Sequence, residues 1–402
     1  MKILVFFVLV FLFLMILLEF ISYLLISWIR EKNSWFITHK DFHPKIDQTV
    51  LNKFIDKGYD SELGWVRKPN TKGVERGAKE YIEWHINENG ARLNPGHEEL
   101  KAKISVYGDS FSFGRQVADN QTWGWHLSKL TKTNVLNFGV GNYGIDQSLI
   151  RLQRQYSLTP TPIVIMGVVP DTISRILSVW KHYYEYGNIY GFKPRFTLDD
   201  NNVLKLIPNY INSEDKFMKY KNYLKEIKEN DFFYLNKFKK EIQRFPFLWS
   251  LIKYPQRNFS MFNETIKFGK ILEPTKTIMR INLNWRLKLY QSKQHCDLFV
   301  KIIERFSEIA NNENFSPILC FLPQKDDILF IKNNYHFYRR IIDQIKEKVT
   351  IIDLYDVISK LNGIDLDNLY SDKTEYGGHY SSEGNELVAN FILDKLKNLT
   401  HF

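Results

Sequence analysis

Cysteine is nearly absent from this 402-residue chain. Two thiols, Cys296 and Cys320, cannot build a disulfide framework, and their spacing fits no zinc ribbon. Cys320 lies in an apolar run and reads as buried filler rather than a reactive thiol. Blocks of one charge are missing too. A net charge of +10 would suit nucleic acid or an anionic surface. Lys and Arg are nevertheless scattered, and where they crowd, over Lys216–Lys240, Glu and Asp interleave with them. No nucleic-acid-binding module accompanies them, so nucleic acid is not an expected partner and the surplus reads as a solvated face. A dinucleotide site is also incomplete. Gly139-Val-Gly-Asn-Tyr-Gly144 matches G-x-G-x-x-G letter for letter, but the acid that should end the next strand is replaced by Ile163-Val-Ile-Met-Gly167. No organic cofactor or metal is implied.

What remains is ordinary in bulk: 44% hydrophobic, 25% charged, with a high aromatic share of 15%. The length allows one large domain, or one domain plus extras, and a sizeable core. The single long apolar run lies at the start. From Ile3 to Trp28 the one charge is Glu19, and the run is long enough to cross a bilayer as a helix. It exceeds a signal-peptide core, and no small-x-small cleavage pattern precedes Arg30-Glu31-Lys32. A retained single-pass anchor over residues 1–32 is expected. Glu19 marks either a packed helix face or a tolerated acid near the interface. Lys2 on one side and Arg30 with Lys32 on the other leave the orientation open.

Residues 33–100 read as a linker to about Pro44 and then a small β lead-in. Tyr59–Asn70 reads as turn, short strand, turn, and Asn89-Gly90 is a tight-turn signal. From residue 101 to 402 the pattern changes. Short apolar strands at Ile104–Tyr107, Val135–Phe138, Ile163–Val168, Pro317–Leu322 and Val349–Leu354 alternate with segments of helical spacing such as Leu298, Ile302, Phe306, Ile309. Alternation of this kind predicts an α/β fold: a parallel sheet covered on both faces, three layers in all, with active residues at the carboxyl ends of strands. An aromatic, basic insertion at about 196–295 interrupts it, with helical stretches near Lys216–Glu229 and Ile278–Gln294. It reads as an elaborated rim, with shaping a substrate groove or packing against the membrane as the other readings.

Chemistry concentrates in three places. Ile104–Gly114 is a strand that breaks into Gly108-Asp109-Ser110. A serine there needs a base and backbone donors aimed at an oxyanion. If a helical turn follows, Ser110 N–H is one such donor; the alternative is that Asp109 or Ser110 merely caps a helix. Val135–Gly144 follows the second strand with three glycines, and the N–H of Gly141 or Asn142 is a second candidate donor. His379, in Gly377-Gly378-His379-Tyr380-Ser381 after the last strand, is the candidate base.

Taken together, Gly108-Asp-Ser110, Asn137-x-Gly139 and His379 followed by Ser381 and Gly384-Asn385 resemble the SGNH (GDSL-like) hydrolases. The lead-in Asp60–Asn70, Ile86-Asn…Gly90-Ala-Arg92 and Val117 with Trp123 resemble membrane-anchored members associated with cell-surface polysaccharide synthesis. The resemblance implies an SGNH/flavodoxin-like sheet and a serine esterase or acyltransferase acting on acyl esters, O-acetyl above all, of a cell-surface glycan. It implies an acyl-enzyme on Ser110, His379 as base, and a domain on the periplasmic or extracytoplasmic side. Two elements depart from the family pattern. The third block reads Gly167-Val-Val-Pro-Asp171, where proline replaces an asparagine oxyanion donor; Asn142 is a candidate replacement. The position three before the histidine is Tyr376 instead of Asp, which leaves Asp372 or Glu375 to orient the ring, or a backbone carbonyl in a Ser–His dyad. These departures open a different reading: a weak or inactive glycan-binding or scaffold module on the same fold.

Overall fold

The computed structural model describes the chain except Ser34, residues 267–274, Glu375 and residues 398–402. At its centre is a five-stranded parallel sheet: β1 (Ala102–Gly108), β2 (Asn134–Asn137), β3 (Ile163–Val168), β4 (Ser316–Phe321) and β5 (Thr350–Asp353). Their spatial order is β5-β4-β3-β1-β2. Alternate residues along each strand enter opposite cores. Tyr107, Met166 and Phe321 join one apolar cluster with the helices Ile145–Gln155 and Lys293–Glu313. Ile104, Val106, Ile165 and Cys320 join another with Trp123–Thr131 and the terminal helix Ser382–Leu396. Burial on both faces is why these strands read as unbroken apolar runs rather than alternating ones. Cys296 and Cys320 are both free and buried.

The chain leaves β1 to build β2 on one side and returns to build β3 on the other. Such a reversal opens a crevice outside the carboxyl ends of the neighbouring strands. The register places Gly108 beside Gly167 and Val106 beside Asn137, so the loops after β1, β2 and β3 share one edge.

Three elements differ from the sequence reading. Gln48–Lys57 is a helix in a segment read for strands and turns. Asp47 caps it by accepting from Val50 N at 3.0 Å, the Asp signal having been outweighed by the turn residues around it. The segment Lys216–Glu229 is broken into short pieces around a tight turn at Tyr220–Tyr223. The insertion also contains a hairpin, Arg195–Leu198 with Leu204–Ile207, whose turn is held by Asp199.

The insertion reaches the N-terminal helix, Lys2–Lys32. The carboxylate of Glu19 accepts from the backbone N–H groups of Phe247 and, at 3.0 Å, Leu248, at the start of the helix Phe247–Lys253. Farther along, Ile26 and Ile29 pack with Phe36, Met261 and Ile278, and Arg30 pairs with Asp41 at 2.7 Å. Glu19 is thus a helix cap on a packed face.

Candidate functional site

β1 ends at Gly108, where a Cβ would lie 2.2 Å from Gly167 O and 2.1 Å from Ser112 Oγ. Only glycine lets β1 and β3 approach so closely at the turn. The chain then enters a one-turn helix, Ser110–Phe113. Asp109 caps it, with Oδ1 accepting from Phe111 N at 2.8 Å. The other carboxylate oxygen accepts from Val169 N at 3.0 Å and from Arg175 Nη1 at 3.3 Å. The same guanidinium donates to Tyr143 O at 3.0 Å and, through Nε, to Asp171 at 3.2 Å. Arg175 therefore ties the ends of β1, β2 and β3 into one unit. Arg92, 2% exposed, grips the far end of the turn by donating to the carbonyls of Phe113, Gly114 and Val117. A buried cation on the last carbonyls of a helix complements its negative end.

The capping reading and the nucleophile reading of Gly108-Asp-Ser110 thus divide between two residues. Asp109 is the cap, and Ser110 is the first helical residue. Its N–H takes no partner within the described residues. The loop after β2 lies directly against this turn: Val140 N donates to Gly108 O at 2.9 Å, and Tyr143 N closes a turn onto Val140 O. Gly141 and Asn142 are the central residues of that turn, Asn142 with φ +66°. Their N–H groups are likewise unpartnered among the described residues. The candidate donors Ser110, Gly141 and Asn142 therefore sit on one edge. Pro170, where the resemblance implies an asparagine donor, turns its carbonyl to the Tyr290 hydroxyl at 2.9 Å.

His379 comes to the same edge. Its ring lies 4.7 Å from that of Phe111, the residue after Ser110, which is also edge-on to Tyr380 at 4.9 Å. Asn385 joins the two segments from the terminal helix, accepting from Trp123 N at 3.0 Å and donating to Tyr380 O at 3.2 Å. Trp123 in turn donates its indole N–H to Phe111 O at 3.0 Å. No direct hydrogen bond joins Ser110 Oγ to the imidazole among the described residues. Contacts of this type commonly tighten only when substrate arrives.

The imidazole is oriented by a residue that the sequence reading overlooked. Gln116 Oε1 lies 2.8 Å from His379 Nδ1, and the same oxygen accepts from His379 N at 2.9 Å and from Ser371 Oγ at 2.8 Å. The backbone N–H can only donate to it, so this atom is the amide oxygen, Nδ1 carries the proton, and Nε2 keeps its lone pair. Gln116 is itself fixed: its backbone, at φ +67°, donates to Glu75 Oε1 at 2.9 Å. Gly378, at φ +67°, wraps over it, and a Cβ there would come within 2.9 Å of Oε1. Glu75 belongs to the lead-in hairpin Lys72–Arg76 and Tyr81–His85 and also holds Arg115 at 2.7 Å. The lead-in is thus a brace for the histidine loop.

Of the acids expected to orient the ring, Asp372 does not meet it. Its carboxylate is spent on Thr374 N at 2.5 Å within its own turn. Glu375 lies outside the described residues. Burial, with Arg115 and Arg175 nearby, holds the His379 pKa well below the usual imidazole value. Both effects favour the neutral ring. Among the described residues no group of three or more metal-binding side chains occurs. A glutamine carries no titration signal and lies 263 positions from its partner, so only its place just beyond the serine turn pointed toward it.

No family model matches the chain, and no curated protein matches it. Among solved structures it is similar to a lipase/acylhydrolase from Enterococcus faecalis (11% identity, TM-score 0.36, covering 74% of this chain and 96% of that one). It is also similar to a catalytic mutant of an acetylxylan esterase from Geobacillus stearothermophilus (11% identity, TM-score 0.34, 76% and 96%). A third, from Desulfitobacterium hafniense and described as lipolytic and of the G-D-S-L family, gives 14% identity and a TM-score of 0.34 over 73% and 99%. At such identities and scores, any functional reading has to rest on this chain's own residues.

Proposed function

We propose that this chain is a membrane-anchored, SGNH-type serine esterase or acyltransferase acting on acyl esters, chiefly O-acetyl, of a cell-surface glycan. The observation that carries the reading is the convergence at one sheet edge of Ser110, three N–H groups unpartnered among the described residues and a neutral histidine with its proton held on Nδ1. Ser110 Oγ attacks the acyl carbonyl while His379 Nε2 takes the hydroxyl proton. The oxygen that becomes negative is received by Ser110 N–H and by Gly141 or Asn142 N–H. Collapse expels the sugar oxygen, which takes the proton back from Nε2 and leaves the acyl group on Ser110. Water or a second sugar hydroxyl, deprotonated by the same nitrogen, then releases it.

Retention of the N-terminal helix, rather than its removal as a signal sequence, is supported by its bonds to the domain through Glu19, Arg30 and Asn33. A segment destined for cleavage has no use for such contacts. Beside Glu19 the insertion exposes Phe245 (71%), Trp249 (58%) and Ile252 (53%). Large apolar side chains at that level suit the interfacial layer of a bilayer.

A fluorophosphonate probe and an activated acetyl ester test the chemistry on the full chain in detergent. Wild type should be labelled and should turn over the ester, and Ser110→Ala should do neither. Equal turnover by both proteins would remove Ser110 from the mechanism. The second reading, a glycan-binding module without catalysis, draws on Pro170 and on the absent Oγ–imidazole bond; a folded wild type that resists the probe would favour it.

A further inference from the structure

Beside the oxyanion loop lies a groove of about 640 Å³ that none of the chemistry above uses. Gly141 and Asn142 form part of its wall, so whatever fills it abuts the reacting centre. The rest of the wall is cationic and aromatic. Lys57, Arg67, Lys72, Arg115 and Lys181 line it together with Trp65, and no aspartate or glutamate is among its lining residues. Three of these cations are matched by acids set back from the groove: Lys72 by Glu83, Arg115 by Glu75 and Lys181 by Glu185.

Arg67 is different. Its guanidinium lies over the ring of Trp84 at 3.9 Å and that of Phe113 at 4.6 Å. Among the described residues it makes no hydrogen bond and no ion pair. Burial pushes its pKa down to about 10, with Glu75 opposing the shift. Both oxygens of Glu75 are already taken by Arg115 and by the Gln116 N–H. A largely buried charge is ordinarily paired. Here a rigid fork of N–H donors lines the groove with no acid paired to it among the described residues, held in place by two aromatic rings. Arginine in such a setting is suited to a planar oxyanion bound through two parallel hydrogen bonds.

We infer that this groove is a subsite for an anionic sugar, one bearing a carboxylate, adjacent to the acylated residue of the glycan. The carboxylate pairs with Arg67, Lys57 at the mouth adds long-range attraction, and the flat face of Trp65 receives the apolar side of the ring. This inference names the substrate class of the proposed esterase and rests on that reading for its biological sense, but binding can be measured without catalysis.

The test uses full-length Ser110→Ala in detergent micelles, so that turnover plays no part. Binding of oligogalacturonate is compared by calorimetry with a neutral xylo-oligosaccharide of equal length and with inorganic sulfate. The expected result is at least tenfold preference for the carboxylated oligomer over either control, weakening as salt rises. Arg67→Gln should abolish the preference and Arg67→Lys should reduce it, with thermal melts confirming that each is folded. Because Arg67 also packs on Trp84, Lys57→Glu provides a second variant at the exposed mouth and should weaken binding of the carboxylated oligomer alone. Equal binding of charged and neutral oligomers would overturn the inference, as would a folded Arg67→Gln that keeps the preference. Sulfate binding as tight as the oligomer would show an anion site without sugar recognition and would also overturn it. Loss of ester turnover in wild type with the preference intact would instead strike only the esterase reading.

Discussion

Replacing Gln116 by glutamate isolates the most consequential contact in the site. All three groups that meet Oε1 (His379 Nδ1, His379 N and Ser371 Oγ) are donors, so a carboxylate can take them over without rearrangement. What changes is charge. A full negative charge about 4 Å from the imidazolium, at an effective dielectric constant of about 20, stabilises it by about 4 kcal/mol, a ceiling of about 3 pKa units. Part of this is lost in burying the new carboxylate, and the weak 3.5 Å bond from Gln116 Nε2 to Arg76 O is forfeited. A net rise of about 1–3 units is expected. The sign follows directly. In wild type His379 titrates well below the usual imidazole value, so turnover of an activated acetyl ester should hold from neutral pH well into the acid range. In Gln116→Glu the acid limb should move upward toward neutrality, and the variant should lose activity at a pH where wild type keeps it. The stronger base should meanwhile raise the plateau. NMR titration of the imidazole protons assigns the limb to His379. A limb that stays in place or moves to lower pH would refute the assignment of Gln116 as the partner of Nδ1.

Four further outcomes follow from the same geometry. Gln116→Leu removes the acceptor and frees the ring, and kcat should fall by up to about 10⁴ by analogy with loss of an orienting acid; Asp372→Asn, whose carboxylate serves its own turn, should leave the pH profile unmoved. Equal effects of the two on kcat would contradict the geometry. Asp109→Ala removes the cap on Phe111 N and one of the two carboxylates that Arg175 meets in the core, Asp171 being the other, and should lower stability by about 1–3 kcal/mol in denaturant melts; an unchanged melt would mean that the pair is not structural. Gly108→Ala drives a methyl into Gly167 O, and a cost of about 1–3 kcal/mol is expected; an unchanged melt would place β1 and β3 farther apart than described. Glu19→Leu leaves the Phe247 and Leu248 N–H groups uncapped and should lower the local opening free energy of Phe247–Lys253 by about 1–2 kcal/mol, read as faster amide exchange. Unchanged exchange there would argue against the cap.

The sheet was legible because its strands are buried on both sides, which leaves no polar face to confuse their boundaries. Ile163–Val168 appears at its sequence-read limits, and the other four strands shift by one or two residues. Ser110 and His379 drew attention for a different reason: a sharp Gly-containing turn after such a strand, and a lone histidine in a Gly-rich loop, are conspicuous by composition. Gln116 did not, because its role is set by contact between segments distant in sequence and not by local pattern. Asp372 and Glu375 drew attention through charge and nearness in sequence, yet a carboxylate two residues from its own turn amide is more easily spent locally, as Asp372 is. Glu19 shows the same limit. An acid in an apolar helix says that something must meet it, and the N–H groups that do so come from 228 and 229 residues away.

The seam between the N-terminal helix and the insertion makes that helix a mast rather than a tether. A domain on a flexible linker sweeps a volume, and its encounters with a target are set by linker length. Bonds at Glu19, Arg30 and Asn33 remove that freedom. With the helix standing in a bilayer, the serine edge would keep one height and one heading above the lipid, and its search would be confined to a plane. On the proposed function, an esterase so held would meet only what passes through that layer: polymer emerging from the membrane close by would be presented to it segment by segment, while chains already farther out would stay beyond its reach.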